Sequence, residues 1–360
     1  MILVGATRGA LDDQRIGGQA FACRSLLDGS LASAFEFHCI DSSITSIKSR
    51  AGLGRLPSAL ARMLRLVWLL IRLNRPPCVL FCSHGLSFIE KGMMTLIARA
   101  LGARALLLPR SGHLVAQVER SRVFRWYVGF VLRSASLVVC QSGGWQKYFE
   151  RLTAGRGRYT VLENWLPESA FVPDEAGVAQ SAGGRFVVGY FNRIEDAKGV
   201  FDFLEAVKLA GTRVKNLKAV VFGDGNAVER MLAWVREHRL EHAIEYRGWL
   251  EAADKASVLR ELDVYLFTSR VEGFPNSLLE VLALKVPVVS VSVGAVADVL
   301  RDGESALLGV VGDVTRLAEC IEKLAASPEL RQRLAANAYL RVRETNTVNR
   351  AVAFFERTLR

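Results

Sequence analysis

The order in which apolar segments follow one another is the feature that most constrains the fold of this chain. Across residues 1–162, short apolar runs such as Cys78–Cys82 and Leu137–Cys140 alternate with longer stretches of helical periodicity. The alternation stops at 166–184 and resumes across 186–326. Strands that alternate with helices form parallel sheets covered by helices. The sequence therefore predicts an α/β protein built from two successive units of similar size.

Residues 166–184 separate the two units, because they are rich in small, polar and turn-forming residues. A length of 360 residues suits two domains. We predict an N-terminal Rossmann-like domain at 1–165, an inter-domain connection at 166–184, a second Rossmann-like domain at 185–340, and a closing helical segment at 341–360.

Positive charge is concentrated in the first half of the chain. Residues 1–170 contain 22 Lys and Arg against 10 Asp and Glu, whereas residues 171–360 contain 25 against 26. Such an excess suits an anionic membrane, a nucleic acid or an acidic substrate. No nucleic-acid-binding motif accompanies it, so we expect no nucleic-acid partner.

Two predicted helices in the first half carry arginines along one face. At 100° per residue, one set falls within an arc of about 140°: Arg62, Arg65, Arg72 and Arg75. A second set lies beside Trp126, Tyr127 and Phe130: Arg122, Arg125 and Arg133. The pattern is typical of an amphipathic helix with a solvated basic face, and it also suits a membrane surface. We predict weak, salt-sensitive binding to anionic vesicles through the first set.

The remaining composition argues against a metal centre and a membrane span. The six cysteines mostly lie in apolar runs, where small buried thiols occur, and Cys78 and Cys82 lack a second pair of metal ligands. The start reads as a strand, with no signal peptide. The densest apolar run, 66–71, is too short to cross a bilayer. We expect a cytoplasmic protein, peripheral at most on the inner face of the inner membrane.

The segment 270–280 carries the most informative residues. Glu272 lies on a loop after a predicted strand, and Glu280 lies near the start of the helix that follows. Ligands of open α/β sheets bind at this edge. Exposed turn amides suit phosphate or sugar oxygens, and carboxylates suit sugar and ribose hydroxyls. A loop glutamate beside a helix-dipole glutamate would be the plain structural alternative.

This segment resembles the glutamate–seven residues–glutamate motif of retaining glycosyltransferases of family 4, which have the GT-B fold. The following segment, 281–308, resembles the family's run of helix, strand, glycine turn and loop, with Lys285 where a glycine is usual. The resemblance implies two Rossmann-like domains that face each other across a cleft, and a final helix that returns to the first domain.

A second block, 187–199, is similar to the family's Gly-Arg…Lys-Gly loop and places Arg193 and Lys198 in it. The departing nucleotide diphosphate gains negative charge as the glycosidic bond breaks, and fixed cations stabilise that charge. An arginine and a lysine five residues apart would mean little alone. Together with the glutamate pair they predict a donor site.

The resemblance also implies a set of donor-binding positions. Glu272 would bind hydroxyls of the donor sugar, assisted by the amides of Phe274, Pro275 and Asn276, and Glu280 would bind the ribose. Further donor-binding candidates are Gly17, Gly18, Gly223, Ser277 and Leu278.

The family usually places a catalytic histidine after the fourth strand, and here two residues compete for that position. Leu108 is followed by Pro109, Arg110, Ser111, Gly112 and His113. His113 is our candidate and Arg110 aligns about as well, while His84 is a weaker alternative. Catalytic candidates are therefore Arg193, Lys198, Glu272 and His113.

The resemblance implies an enzyme that moves a sugar from a nucleotide diphosphate sugar, such as a UDP- or GDP-sugar, to a glycan or lipid-linked acceptor. Polysaccharide or lipopolysaccharide synthesis for the cell envelope is the expected setting. No cofactor or metal is expected, because the GT-B family does not depend on one and no Asp-x-Asp pair stands out. The alternative is a non-catalytic nucleotide-sugar-binding protein with a GT-B shell.

Overall fold

A computed structural model describes residues 1–7, 18–27, 35–43, 56–251 and 253–359. The chain divides into two compact units. The first consists of Met1–Trp165 with Val348–Arg360, and the second of Leu166–Thr347.

The first unit contains a parallel sheet in the order β2-β1-β3-β4-β5-β6. Its strands are β1 (Ile2–Gly5), β2 (His38–Asp41), β3 (Cys78–Cys82), β4 (Ala105–Pro109), β5 (Leu137–Cys140) and β6 (Tyr159–Val161). Its described helices are Gly18–Leu27, Leu56–Arg72, Leu86–Ala100, His113–Arg120, Arg122–Ser134, Gly143–Leu152 and Val348–Leu359. Strands β3 and β4 are buried along their whole length, as strands covered on both faces should be.

The two faces of this sheet have separate apolar cores. One core packs beneath Leu56–Arg72, Leu86–Ala100 and Arg122–Ser134. The other packs beneath Gly18–Leu27 and the final helix Val348–Leu359. The last helix of the chain therefore belongs to the first unit.

The second unit repeats the architecture, with a parallel sheet in the order β12-β11-β10-β7-β8-β9. Its strands are β7 (Phe186–Phe191), β8 (Leu217–Phe222), β9 (Ile244–Gly248), β10 (Val264–Phe267), β11 (Val288–Val291) and β12 (Leu307–Gly309). Its described α-helices are Val200–Ala210, Val228–Glu237, Lys255–Leu259, Asn276–Ala283, Val296–Val299, Val314–Ala326 and Pro328–Thr345. The order of strands reverses direction at β7, so the carboxyl ends of β7 and β10 meet at a switch point, where such sheets bind ligands.

The stretch 166–184, predicted as an inter-domain connection, belongs to the second unit. Val172 N donates to Ala283 O at 3.1 Å, and Ala179 N donates to Lys285 O at 3.0 Å. Lys285 has a φ of 55°, the left-handed conformation that glycine favours after a helix. Its Nζ donates to Ala176 O at 2.9 Å. The lysine at this helix end therefore holds the stretch 166–184 in place.

The boundary between the second unit and the final helix lies after Thr347, whereas the sequence predicts it after residue 340. The helix Pro328–Thr345 continues past residue 340 within the second unit, and the final helix begins at Val348. Within the described residues, no helix has the length and apolar character needed to cross a membrane. The six cysteines are free thiols, and all but the half-buried Cys39 are buried.

Candidate functional site

The loops that follow β7 and β10 meet at the switch point of the second unit through an ion pair. Lys198 Nζ donates to Glu272 Oε1 at 2.6 Å. Their side chains are only 21% and 10% exposed. Ser269 Oγ donates to the same carboxylate oxygen at 2.7 Å. The glutamate is thus fixed by a cation and a hydroxyl, and a charge-assisted bond of this kind is stronger than a neutral one.

Backbone contacts hold the two loops together. Arg270 N donates to Ala197 O at 2.9 Å, and Thr268 Oγ1 donates to Gly199 O at 2.8 Å. Gly199 has a φ of 70°, and a Cβ atom there would lie 2.0 Å from Thr268 O. Only glycine fits this approach, so the glycine after Lys198 is what lets the lysine reach Glu272.

Two buried tyrosines form hydrogen bonds with the same loops, and no sequence motif marks them. Tyr190 Oη donates to Arg193 O at 2.8 Å, and Tyr265 Oη donates to Phe191 O at 2.9 Å. Burial raises the pKa of both hydroxyls, and the charge of Glu272 raises it further. Both therefore remain neutral donors that fix the path of the chain after β7.

Arg193 lies on this loop, but its side chain points elsewhere. Its Nη2 lies 2.6 Å from Glu195 Oε1, and the side chain is 58% exposed. The structure therefore brings Lys198 and Glu272 into contact and leaves the guanidinium of Arg193 paired with its neighbour.

Glu280 pairs with a different lysine from the one that holds Glu272. Lys255 Nζ donates to Glu280 Oε2 at 3.0 Å and lies 5.3 Å from the ring centroid of Phe191, the last residue of β7. Glu272 and Glu280 both raise the pKa of Tyr265, after burial as the main cause. The two carboxylates thus lie around one tyrosine. Lys255 belongs to no sequence motif, so the sequence alone does not predict its place in the site.

The turn before the helix Asn276–Ala283 corrects one detail of the donor-site prediction. Pro275 occupies the N-cap position and no side chain caps this helix. Proline has no N–H, so Pro275 cannot donate to a ligand. Phe274 and Leu278 are buried and shape the turn, whereas the N–H groups of Ser277 and Leu278 have no acceptor within the helix, as in any first turn.

Gly223 lies where the loop after β8 touches the loop after β7. Its φ is 139°, and a Cβ atom there would lie 1.9 Å from Asn192 O. Ile194 N donates to Asp224 O at 3.0 Å. Gly223 therefore positions the loop that carries Arg193 and Lys198.

In the first unit, the candidates lie at the carboxyl ends of β3 and β4. His113 is exposed at the start of the helix His113–Arg120, and its ring lies 5.1 Å from that of His84. Ser111 Oγ lies 2.8 Å from Nδ1 of His84. Burial, with a smaller effect of His113, lowers the pKa of His84, so His84 is neutral near pH 7. Gly18 begins the helix Gly18–Leu27, and Gly17 lies outside the described residues.

Arg110, the competitor of His113, faces inward. Its Nη1 donates to Asn164 Oδ1 at 2.7 Å, and Gln141 Nε2 donates to the same oxygen at 2.8 Å. The guanidinium also lies 4.7 Å from the centroid of the Trp165 ring. Burial lowers the pKa of Arg110 to about 10, which leaves it charged at neutral pH. Its Nη2 is buried and has no hydrogen-bond partner among the described residues.

The second-unit site combines groups that suit one kind of ligand. Cations and turn amides attract phosphate, and carboxylates accept hydrogen bonds from hydroxyls. Across the described residues, no group of three or more His, Cys, Asp or Glu side chains is arranged to hold a metal ion.

Two family models match the chain. The model described as "Glycosyl transferases group 1" matches residues 173–341, and the one described as "Glycosyl transferase 4-like domain" matches residues 36–165. The chain belongs to the GT-B glycosyltransferases. These matches follow the two units, and the first of them includes every second-unit residue of the site.

Curated relatives of this GT-B glycosyltransferase are moderately similar. The capsular polysaccharide biosynthesis glycosyltransferase CapM of Staphylococcus aureus is 29% identical over 161 residues, which are 44% of this chain and 41% of CapM. The lipopolysaccharide core biosynthesis glycosyltransferase LpsE of Rhizobium meliloti (strain 1021) is 26% identical over 207 residues, 58% of this chain and 59% of LpsE. The chain spans about half the length of the curated relatives it matches.

Solved structures share the fold over nearly the whole chain. Sucrose-phosphate synthase (tll1590) from Thermosynechococcus elongatus has a TM-score of 0.78 at 18% identity, over 99% of this chain and 97% of that chain. Anabaena Alr3699/HepE in complex with UDP-glucose has a TM-score of 0.74 at 18% identity, over 99% and 98%. At this identity the likeness shows the GT-B fold alone.

Proposed function

We propose that the chain is a retaining glycosyltransferase that transfers a sugar from a nucleotide diphosphate sugar to a glycan or a lipid-linked acceptor. The observation that carries this proposal is the contact of Lys198 with Glu272 at the switch point of the second unit. A lysine suits phosphate and a carboxylate suits hydroxyls, and a nucleotide diphosphate sugar offers both groups in neighbouring positions.

The proposed chemistry needs no nucleophile from the enzyme. The bond between the anomeric carbon and the β-phosphate oxygen breaks, and the acceptor oxygen bonds to that carbon on the same face. The acceptor proton passes to the leaving phosphate. Lys198 stabilises the charge on the phosphate. Arg193, whose side chain is exposed, does so after its guanidinium exchanges Glu195 for the diphosphate.

The carboxylates divide the rest of the donor between them. Glu272 accepts hydrogen bonds from hydroxyls of the transferred sugar, and Glu280 accepts them from the ribose. In the first unit, His113 is the proposed catalytic histidine, because it is exposed whereas Arg110 is bound to Asn164.

The roles of two relatives support an envelope glycan as the product. CapM belongs to capsular polysaccharide synthesis and LpsE to lipopolysaccharide core synthesis. The structure of HepE was solved with UDP-glucose. We therefore place UDP-sugars first among the donors and a polysaccharide or lipopolysaccharide precursor first among the acceptors.

A thermal-shift screen against UDP-, GDP- and ADP-sugars tests the proposal. One class should raise the melting temperature, because a ligand that binds the folded state stabilises it. The same donor should then be hydrolysed slowly or transferred to an acceptor. Stabilisation without any turnover would favour a non-catalytic nucleotide-sugar-binding protein, and no stabilisation by any donor would contradict both functions.

We propose that the reaction requires no metal ion, because cationic side chains stabilise the leaving diphosphate. Transfer measured in excess EDTA should equal transfer in Mg²⁺. A loss of activity in EDTA that Mg²⁺ or Mn²⁺ restores would contradict this assignment.

We also propose that the first unit binds a membrane surface through an exposed apolar ridge. On Leu56–Arg72 the exposed apolar residues fall within an arc of about 120°: Leu56, Leu60, Leu64, Trp68 and Ile71. On Arg122–Ser134 they are Val123, Trp126 and Phe130. Exposed apolar surface of this extent marks an interaction site.

Arginines border the ridge, which favours an anionic bilayer over a second copy of the chain. Arg65 and Arg72 are exposed along one edge of Leu56–Arg72, and Arg72 lies 4.8 Å from the centroid of the Trp68 ring. Arg62 instead donates to Glu90 at 2.6 Å. A symmetric dimer would place this basic face against itself, whereas a bilayer takes up aromatic rings and attracts arginines.

Flotation with phosphatidylcholine vesicles, with and without phosphatidylglycerol, tests the ridge. The double variant Trp68→Ser/Trp126→Ser should bind anionic vesicles at least about tenfold more weakly, because each tryptophan loses buried apolar area. Leu340→Ser removes an equally exposed apolar side chain from the second unit and should bind like the wild type. Equal flotation of all three proteins, or none by the wild type, would contradict the ridge.

A further inference from the structure

A cavity of about 630 Å³ in the first unit is lined by arginines and, among the described residues, by no acidic side chain. The arginines come from five separate places along the chain: Arg99, Arg104, Arg133, Arg158 and Arg357. The lining also includes Leu106 and Leu137, near the amino ends of β4 and β5. His84 and His113 lie at the opposite, carboxyl edge of the same sheet, so this cavity is separate from the proposed catalytic residues of the first unit.

The charges in this arginine cavity are not compensated by acidic side chains. Arg99 donates only to the carbonyl oxygens of Ser134 and Ala103, at 3.1 and 3.2 Å. Arg104 likewise donates to carbonyl oxygens of the final helix. Within the described part of the chain, the side chains of Arg133, Arg158 and Arg357 form no hydrogen bond or ion pair. Like charges that converge in a concave site raise the local concentration of anions.

We propose that the arginine cavity binds an anionic ligand that carries at least two phosphate groups. A guanidinium binds phosphate through two parallel hydrogen bonds, and five of them around one cavity exceed what a single phosphate can accept. Arg99 and Arg104 are already held by carbonyl oxygens, so they are oriented before the ligand arrives. Leu106 and Leu137 add apolar surface to the cavity wall.

Two sources offer this chemistry, a soluble diphosphate and the head group of a lipid with two phosphates. Arg99 and Arg133 lie at the last turns of Leu86–Ala100 and Arg122–Ser134, and the second of these helices carries part of the apolar ridge. The experiment therefore has one arm for each source. The inference does not depend on glycosyl transfer.

The probes are pyrophosphate, followed by calorimetry, and phosphatidylcholine vesicles that contain cardiolipin, followed by flotation. The double variant Arg133→Gln/Arg158→Gln should bind the relevant probe at least about tenfold more weakly, because each arginine loses charge-assisted bonds to phosphate. The side chains of both residues form no hydrogen bond or ion pair within the described residues, so the substitutions should leave the fold intact. The charge-matched control Arg120→Gln/Arg151→Gln should bind like the wild type. Lys198→Met removes any pyrophosphate bound at the proposed donor site and should leave the remaining pyrophosphate binding and the cardiolipin binding at the wild-type level.

Each outcome decides the proposal. Loss of pyrophosphate binding in the first variant alone identifies a soluble ligand, and loss of cardiolipin binding alone identifies a lipid. Binding that is absent in the wild type, or equal in the first variant and its control, overturns the arginine cavity as a site. Loss of pyrophosphate binding only in Lys198→Met assigns that binding to the donor site and also overturns it.

Discussion

The two units have the same architecture but differ in whether their basic side chains are paired with acidic ones. In the second unit, Lys198 and Lys255 are paired with Glu272 and Glu280, and Arg270 is paired with Asp202 at 2.6 Å. In the first unit, Arg133, Arg158 and Arg357 have no acidic partner among the described residues. The comparison teaches that the second unit holds its site in place before any ligand binds, whereas the first unit presents positive charge to something outside itself.

Removing the cation of the second-unit site should give the largest effect and sharpen this comparison. Lys198→Met should lower the transfer rate at least about a hundredfold, because the leaving diphosphate loses its buried cation. Lys255→Met removes the other paired lysine and should lower the rate far less. Steady-state transfer assays on folded protein measure both. Equal effects of the two variants would contradict the distinct roles of Glu272 and Glu280.

Two glycines with nearly equal φ angles allow two stability costs to be compared. One is the cost of a left-handed backbone conformation alone, and the other adds the cost of a steric contact. Gly199 and Gly155 have φ angles of 70° and 71°, but only Gly199 has an atom within 4 Å of an added Cβ. Gly155→Ala should cost about 1 kcal/mol from its left-handed conformation. Gly199→Ala should cost at least about 2 kcal/mol, because it also displaces the loop from Thr268. Urea unfolding of both variants compares them, and equal losses would contradict the contact.

Changing Glu280 should affect donor binding more than the chemical step. Glu280→Gln should raise the KM for the donor about tenfold and leave kcat within about threefold, because ribose contacts act in both ground and transition states. Initial rates over a range of donor concentrations separate the two constants. A fall in kcat equal to that of Lys198→Met would assign Glu280 to the reacting centre instead.

The smallest effect concerns His84 in the first unit. Its lowered pKa means that the folded state resists protonation. Stability should therefore be full above the unfolded pKa of about 6.5 and fall as the pH drops through the lower folded value. His84→Asn should make unfolding free energy less dependent on pH between about 7 and 5. If the variant kept the wild-type pH dependence of the unfolding free energy, His84 would not be the source of that dependence.

Much of the fold could be predicted from the sequence, because apolar alternation and turn residues are local signals. The helix Pro328–Thr345 was missed although Ser327 and Pro328 give a standard helix start, with Ser327 Oγ accepting from Leu330 N. The helix Gly143–Leu152 was missed despite the cap by Ser142. The helix Pro328–Thr345 has only weak apolar periodicity. The helix Gly143–Leu152 begins with two glycines, which have a low helix propensity.

The candidate site was only partly predictable, for a physical reason. Glu272 and Lys198 belong to motifs with fixed local spacing, so the sequence predicts them. Lys255 and Tyr265 act through contacts with residues that lie 25 and 74 positions away along the chain. No local pattern encodes such contacts, and the pairing of Arg193 with Glu195 depends on side-chain direction, which spacing does not specify.

The most direct test of the donor site is the Glu272→Gln variant, studied with a nucleoside diphosphate and with its sugar conjugate. The variant should bind the free nucleoside diphosphate like the wild type, because that ligand lacks the transferred sugar that Glu272 is proposed to hold. It should transfer sugar at least about a hundredfold more slowly. A folded Glu272→Gln protein that transfers sugar at the wild-type rate would contradict the site.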